Sequence, residues 1–133
     1  MDSKSIAELS GVTLPFEGNG RSFGYPTANI HASTELVDGV YFGYANLGEY
    51  SNHPALIFIG TPTTVGAKEY RIEAHLLDIA DKDYYGETLK VDVHHFHRQN
   101  VMFESVDELL KAMQTDDLAA RKWFKENNAE SNT

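Results

Sequence analysis

The chain has 133 residues, a length that fits one globular domain around one hydrophobic core. Its hydrophobic content of 41% and aromatic content of 11% argue against an intrinsically disordered chain. The formal net charge of −9 argues against a broad nucleic-acid or membrane-surface role, and the lack of cysteine excludes disulfides and thiolate metal sites.

The first half of the chain predicts loops alternating with short strands. Residues 1–10 are polar and predict a loosely held terminus, and residues 12–16 predict a short strand. Gly39–Leu47 is rich in Tyr, Phe and Val and predicts a longer strand. Residues 54–59 form a continuous apolar run bounded by Pro and Gly, which is typical of a buried strand.

The second half begins with two segments in which apolar and polar residues alternate. Residues 70–76 and 89–94 both follow this period-two pattern, which predicts two half-buried strands separated by a polar loop over residues 81–86. Strands follow one another at short spacing, and no helical period interrupts them. The sequence therefore predicts a mainly β domain built as a small antiparallel barrel.

Near the C-terminus the pattern changes to that of a helix. Ser105 and Glu108 have the spacing of a capping box, in which each side chain satisfies a free backbone amide of the first turn. An apolar stripe at helical spacing follows, formed by Val106, Leu109, Leu110 and Met113. This stripe predicts a helix that packs one face on the barrel.

A second helix is predicted to start at Thr115 and Asp116, both good capping residues, and to continue through Leu118, Trp123 and Phe124. Because Met113 and Trp123 lie on apolar stripes, they are expected in the core rather than at a ligand. Residues 126–133 are polar and without period, and are expected to fray.

The strongest functional pattern is Gly-Asn-Gly-Arg-Ser-Phe-Gly-Tyr-Pro-Thr-Ala-Asn, which starts at Gly18. Glycines such as Gly18 and Gly20 let backbone amides approach an anion, and Arg21 adds a forked donor suited to phosphate oxygens. Thr27 and Asn29 offer neutral oxygens, which suit a hard cation such as Mg²⁺. A glycine-rich loop alone more often only turns the chain, so the Pro-Thr-Ala-Asn that follows is decisive.

This segment resembles the signature of the riboflavin kinase (flavokinase) family, which also forms the C-terminal half of bifunctional bacterial FAD synthetases. The resemblance extends in chain order from Gly11 to about Trp123, through motifs that begin at Gly39, Phe58, Ile72, Tyr85, Phe96 and Phe103. It implies one domain, a six-stranded Greek-key-like barrel with a C-terminal α-helical segment packed on it. It also implies transfer of the γ-phosphate of ATP to riboflavin, with Mg²⁺ at Thr27 and Asn29.

Within this resemblance, Glu73 takes the place of the family's proposed catalytic base, in the motif Glu-Ala-His-Leu-Leu-Asp. A carboxylate can orient a hydroxyl group and accept its proton during phosphoryl transfer. The alternation alone favours a plainer alternative, an ion pair between Glu73 and Arg71 on the polar face of the strand. His75 shares that face and is expected to form a hydrogen bond that supports Glu73.

The resemblance assigns further residues to the two ligands. Tyr84 and Tyr85 lie in the loop that flanks the adenine, with packing at a turn as the alternative. Arg98 and Phe103 flank a loop that helps to close over the flavin, with anchoring of the helix start as the alternative for Phe103. The cofactor-binding residues are thus expected to include Tyr84, Tyr85, Arg98 and Phe103 besides the glycine loop.

Three residues depart from the family pattern, namely Asn19, Thr61 and Asn100. They favour an alternative function as a flavin- or nucleotide-binding module without turnover, whereas Thr27 and Glu73 favour the kinase. A second alternative is a kinase domain cut from a bifunctional FAD synthetase. No apolar run is long enough to span a membrane and no signal-peptide core precedes the domain, so a cytoplasmic monomer that binds small molecules is expected.

Overall fold

A computed structural model describes residues 5–14, 27–32, 34–60, 71–79, 84, 86–101 and 103–131. Within these ranges the chain forms six strands and one helix. They are β1 (Ala7–Val12), β2 (Ala28–Ile30), β3 (Gly39–Leu47), β4 (Tyr50–Gly60), β5 (Arg71–Leu76), β6 (Thr88–Gln99) and α1 (Val106–Ser131).

The strands form one sheet in the order β1-β6-β3-β4-β5-β2, and each neighbouring pair is antiparallel. The two edge strands approach each other, because the Leu14 amide donates to the Asn29 carbonyl over 2.9 Å. Gly11 permits this approach, since a Cβ at that position would lie 3.2 Å from the Ile30 Cβ. The sheet is thus a nearly closed barrel, and the predicted small antiparallel barrel is confirmed.

The barrel interior contains the main hydrophobic core, to which every strand contributes alternate residues. On β5, Ile72, Ala74 and Leu76 are buried inside the barrel. The residues between them, Glu73 and His75, consequently belong to the outer face. The same alternation on β2 buries Ala28 and Ile30 inside and assigns Asn29 to the outer face.

A second, smaller apolar cluster joins α1 to the outer face of the sheet. Its buried members are Val40, Phe42, Leu56, Leu77, Ala120 and Phe124. The helix buries Met113, Ala120 and Phe124, as predicted for Met113, but Val106 is 44% exposed and Leu118 is 70% exposed. The packed stripe therefore differs from the one predicted, because it runs through Asp116, a charged residue that sequence patterns assign to a solvent face.

The C-terminal region is one helix rather than the two that the sequence predicts. α1 continues through Thr115 and Asp116 because neither residue caps it. The Thr115 hydroxyl donates to the Lys111 carbonyl over 3.0 Å, and the Asp116 carboxylate is bound to side chains of β6. The helix also extends to Ser131, into the segment that was expected to fray. This helix, the one helix of the described ranges, is not long and apolar enough to cross a membrane.

The start of α1 confirms one half of the predicted capping box. The Glu108 amide donates to the Ser105 Oγ over 3.2 Å. The Glu108 carboxylate accepts from the Glu104 amide over 2.9 Å instead of from the Ser105 amide. The side chains of Ser105 and Glu108 thus accept hydrogen bonds from backbone amides at the start of the helix, as predicted, but Glu108 binds the amide of Glu104 and not that of Ser105.

The N-terminal strand begins earlier than predicted. Residues 7–10, expected to be loose, pair with β6 from Ala7 opposite Val93 to Val12 opposite Thr88. Only Val12 of the predicted strand 12–16 belongs to β1, and residues 15 and 16 lie outside the described ranges. In β1 the partly buried residues are Ala7, Leu9 and Gly11. Two of these three side chains are small or absent and none is β-branched, so the local sequence gives only a weak signal for a strand.

Candidate active site on the outer face of the barrel

Glu73 occupies the centre of a row of residues that crosses the outer face from strand to strand. It lies directly opposite Asn29 of β2 on one side and Phe58 of β4 on the other. The same register continues from Phe58 to Val40 of β3 and from Val40 to Arg98 of β6. We call these five residues the outer row. Directly opposed residues of antiparallel strands have neighbouring side chains on one face, so the row brings three predicted site residues into one line.

Asn29 contributes an acceptor that lacks a partner within the described part of the chain. The residue is 3% exposed, and its buried Oδ1 has no hydrogen bond there. A buried polar atom without a partner costs about 1–3 kcal/mol, which is unusual unless a ligand supplies the missing interaction. Thr27, half-buried, immediately precedes the strand that carries Asn29. A neutral oxygen next to a carboxylate is the donor type that Mg²⁺ prefers, so these residues fit the predicted ion.

The Glu73 carboxylate is partly exposed and is held from its own strand. Its side chain is 17% exposed, and Oε1 accepts a hydrogen bond from His75 Nε2. His75 is buried, and its ring packs against Phe58 with the centroids 4.7 Å apart. The expected support of Glu73 by His75 is therefore confirmed as a contact. The alternative partner, the Arg71 side chain, lies outside what the structure describes.

At the far end of the outer row, Arg98 is bound to a buried carboxylate of the helix. Arg98 Nε donates to Asp116 Oδ1 over 2.9 Å, and Nη2 donates to Oδ2 over 2.7 Å. His97 Nε2 donates to the same Oδ1 over 3.0 Å. The guanidinium carbon also lies 5.7 Å from the centroid of the Phe103 ring, in cation–π distance. Arg98 and Phe103 thus form one unit between β6 and the start of α1.

A β-bulge explains why two consecutive residues of β6 reach the same carboxylate. Val40 of β3 opposes Arg98, but the next residue, Tyr41, opposes Phe96, so His97 is the extra residue of a bulge. In a regular strand His97 and Arg98 would point to opposite faces. The bulge turns both toward α1, which is a common use of bulges beside functional sites.

Within the outer row, Glu73 and Arg98 are separated along the sheet by three strand spacings, about 14 Å. Between them lie Phe58, which is half-buried, and Val40, which is fully buried. The row therefore offers polar groups at its two ends and an apolar stretch in the middle. A flat, elongated ligand with polar groups at both ends matches this distribution.

Tyr84 is buried in the main hydrophobic core. Its ring centroid is 6.4 Å from that of Tyr50. Burial, reinforced by a hydrogen bond with Tyr50, raises the pKa of Tyr84 to about 12. This position fits the packing alternative, and the stacking of Tyr84 on adenine stays a prediction. The other predicted phosphate and adenine contacts, Gly18, Gly20, Arg21 and Tyr85, lie outside the described residues.

Sequence patterns missed Asp116, which is 2% exposed in the middle of the packed stripe of α1. The available signal was its spacing from Met113 and Ala120, which assigns it to the buried face of the helix. Histidines near the end of β6 have separate partners: His94 donates to Asp92, and the ring of His95 stacks on Trp123. Among the described residues, no group of three or more His, Cys, Asp or Glu is placed to hold a metal ion.

The six antiparallel strands and the C-terminal helix define a small-barrel domain with one helix packed on its outer face. More specifically, the chain belongs to the riboflavin kinase (flavokinase) family, whose sequence profile, described as "Flavokinase: Riboflavin kinase", matches residues 4–124. The family predicted from the Pro-Thr-Ala-Asn segment is thus confirmed.

Individual relatives agree with this assignment. The bifunctional riboflavin kinase/FMN adenylyltransferase of Escherichia coli K12 is 36% identical over 119 residues, which cover 87% of this chain and 37% of that protein. The trifunctional protein RibF/MnmA of Mycoplasmoides gallisepticum is 33% identical over 118 residues, which cover 87% of this chain and 18% of that protein. The chain thus spans well under half of these two relatives.

Human riboflavin kinase is 27% identical over 117 residues, which cover 84% of this chain and 76% of the human protein. Among solved structures, riboflavin kinase from Trypanosoma brucei superposes with a TM-score of 0.68 at 19% identity, covering 93% of this chain and 80% of that one. At this identity the similarity concerns the fold, and it confirms the six-stranded barrel with a C-terminal helix.

Proposed function

We propose that the chain is a riboflavin kinase that transfers the γ-phosphate of MgATP to the 5′-hydroxyl of riboflavin, yielding FMN and ADP. The observation that carries this proposal is the pairing of Glu73 with Asn29. A partly exposed carboxylate, held by a buried histidine, lies directly opposite a buried oxygen for which the described part of the chain supplies no partner. Membership of the riboflavin kinase family supplies the substrate class.

Glu73 is the proposed general base. The ribityl hydroxyl attacks the γ-phosphorus, a new O–P bond forms, and the bond to the β–γ bridging oxygen of ATP breaks. The hydroxyl proton passes to the Glu73 carboxylate. The hydrogen bond from His75 to Oε1 holds the carboxylate in place while it orients the hydroxyl. The other contributions of the protein are positioning and charge stabilisation.

Thr27 and Asn29 are the residues that would hold Mg²⁺, which when bound neutralises charge on the transferring phosphate. Their oxygens fit this role because they are neutral and because no described residue satisfies the Asn29 oxygen. Gly18, Gly20 and Arg21 would hold the remaining phosphate oxygens through backbone amides and a guanidinium group. With a net charge of −9, the chain needs such local donors to bind an anionic nucleotide.

The flavin is proposed to lie along the outer row, from Glu73 toward Arg98. Its ribityl chain would reach Glu73, and its ring system would extend past the half-buried Phe58 toward Arg98 and Phe103, without touching Val40, which α1 covers. The separation of about 14 Å between Glu73 and Arg98 along the sheet accommodates a ribityl chain joined to a planar ring. Arg98 and Phe103 offer a guanidinium plane and an aromatic ring, both suited to a flat heteroaromatic partner.

The test is FMN formation from riboflavin and MgATP, measured by chromatography of the flavins, in the wild type and in Glu73→Gln. We expect kcat to fall by roughly two to four decades, because the variant keeps the shape of the side chain and loses the base. Glu8→Gln on the exposed face of β1 is the matched control and should retain wild-type kcat.

Two results would contradict this proposal. Unchanged turnover in Glu73→Gln would remove Glu73 from the role of base. Binding of riboflavin and ATP by the wild type without any FMN would replace the kinase by a binding module. Equilibrium titrations of both ligands therefore accompany the turnover assay.

A further inference from the structure

We propose that Asp116 is a positioning residue for riboflavin, which it serves by fixing the plane of the Arg98 guanidinium beside Phe103. This inference rests on the proposed function, because it concerns the flavin end of the same site. It assigns to α1 a part in substrate binding that goes beyond covering the barrel. Asp116 itself is not proposed to touch the flavin.

The first argument is the burial of a charged group in an apolar stripe. Asp116 is 2% exposed and lies one helical turn from Met113 and from Ala120, both of which pack on the barrel. A small apolar residue at this position would pack without the cost of desolvating a carboxylate. The carboxylate is instead matched by three donors, two on Arg98 and one on His97. Such full pairing holds both partners in a single geometry.

The second argument is the contrast with the other ion pair that ties α1 to the barrel. Arg121 donates to both carboxylate oxygens of Asp78, just beyond β5, over 2.9 and 3.0 Å. This pair is exposed and also joins Asp117 of the helix. The helix therefore has a tether that involves no residue of the outer row. Anchoring alone does not account for a second, buried ion pair at Arg98.

The third argument is what the pairing leaves on the ligand side of Arg98. Of its five N–H groups, described residues use three: two bond to Asp116, and one on Nη1 donates to the Gln99 carbonyl over 3.1 Å. The side chain is 25% exposed. One N–H group on each terminal nitrogen is not used by a described residue and is proposed to bind a carbonyl-bearing heteroaromatic ring, while the guanidinium carbon lies over the Phe103 ring.

The experiment compares Asp116→Asn with Arg121→Gln, the matched control that breaks the exposed tether. Asp116→Asn is expected to raise the KM for riboflavin about tenfold, because it halves the charge-assisted pairing of Arg98. Its kcat and its KM for ATP are expected to stay within about twofold of wild type. Arg121→Gln is expected to leave all three constants at wild-type values.

A double variant separates positioning from general loosening. In an Arg98→Gln background, Asp116→Asn is expected to add nothing to the KM for riboflavin, because its effect passes through Arg98. Additive effects would overturn the proposal. So would a wild-type KM for riboflavin in Asp116→Asn, or an equal loss of affinity for riboflavin and ATP, which is the signature of a structural role.

Two further measurements test the proposal if Asp116→Asn does not fold or if the wild type makes no FMN. Should Asp116→Asn not fold by circular dichroism, His97→Phe keeps a ring against Phe42, removes one of the three donors and is expected to raise the KM for riboflavin about twofold to threefold. An unchanged KM in that folded variant would overturn the proposal. Should the wild type make no FMN, the proposed function fails, and quenching of riboflavin fluorescence still tests the effect of Asp116→Asn on affinity.

Discussion

At one end of the outer row a buried oxygen of Asn29 has no hydrogen-bond partner among the described residues, whereas at the other end the Asp116 carboxylate accepts from three donors. The first end also carries Glu73, which is partly exposed and accepts a hydrogen bond from His75. In the proposed function this incomplete end binds a cation and accepts a proton, and the substrates supply the interaction that Asn29 lacks. The complete end is proposed to recognise a flat ring, and its existing pairings mean that binding would require little reorganisation.

This comparison predicts that the Asn29 side chain lowers the stability of the ligand-free protein and raises its activity. Asn29→Leu removes the unsatisfied oxygen and keeps a similar volume, so the free energy of unfolding without ligands should rise by about 1 kcal/mol. The same change should lower kcat/KM for ATP by roughly two decades or more, because an oxygen proposed for Mg²⁺ is lost. Urea unfolding and FMN formation measure the two effects.

Asn46→Leu is the matched control for this trade. Asn46 Oδ1 accepts from the Ser51 hydroxyl and the Asn52 amide, so its loss should destabilise the turn after β3 and leave turnover unchanged. A destabilised Asn29→Leu variant would show that its oxygen is satisfied in the free protein. That result would remove the contrast between the two ends.

A smaller effect is expected from the support of Glu73. His75→Phe keeps a ring against Phe58 but removes the donor to the carboxylate, and we expect kcat to fall about tenfold with little change in KM. His75→Gln retains a donor and should recover part of the loss. His53→Phe is the control, because that histidine donates to the Leu77 carbonyl outside the row. Equal kcat values in His75→Phe and the wild type would contradict the role of His75.

The smallest effect concerns the exposed tether of the helix. A hydrogen bond from Arg121 lowers the pKa of Asp78 below its ordinary value of 3.8. A lowered carboxyl pKa adds stability above the unfolded-state value, and this stability is lost as the pH falls through the folded-state value. Asp78→Asn should therefore cost less than about 1 kcal/mol at neutral pH, with the difference shrinking below pH 3.8. A difference that grows on acidification would contradict this assignment.

Local patterns predicted the parts of the fold that depend on nearby residues. Gly39–Leu47 was predicted with the bounds that the strand has, because it is rich in Val, Tyr and Phe, which favour strands. The alternation around Glu73 correctly gave Glu73 and His75 one face. These inferences needed only the period of a strand.

The remaining features depend on pairings between distant segments. That Asn29 lies opposite Glu73 follows from the register of β2 on β5, which no local pattern encodes. Asp116 looked like a helix cap because its partner Arg98 lies 18 residues earlier and is turned toward it by a bulge. Tyr84 looked like a loop residue, and its burial depends on Tyr50 and the core around it.

The bulges of β6 make the length of that strand as important as its composition. Both register shifts against β3 place a histidine, His94 or His97, as the extra residue. Deleting His97 would leave Phe96 opposite Tyr41 and Arg98 opposite Val40, so the pairing would become regular and both neighbours would keep their faces. The local twist of the bulge and one donor to Asp116 would be lost, so a one-residue gap in an alignment of this stretch indicates whether the helix carboxylate keeps both of its partners on β6.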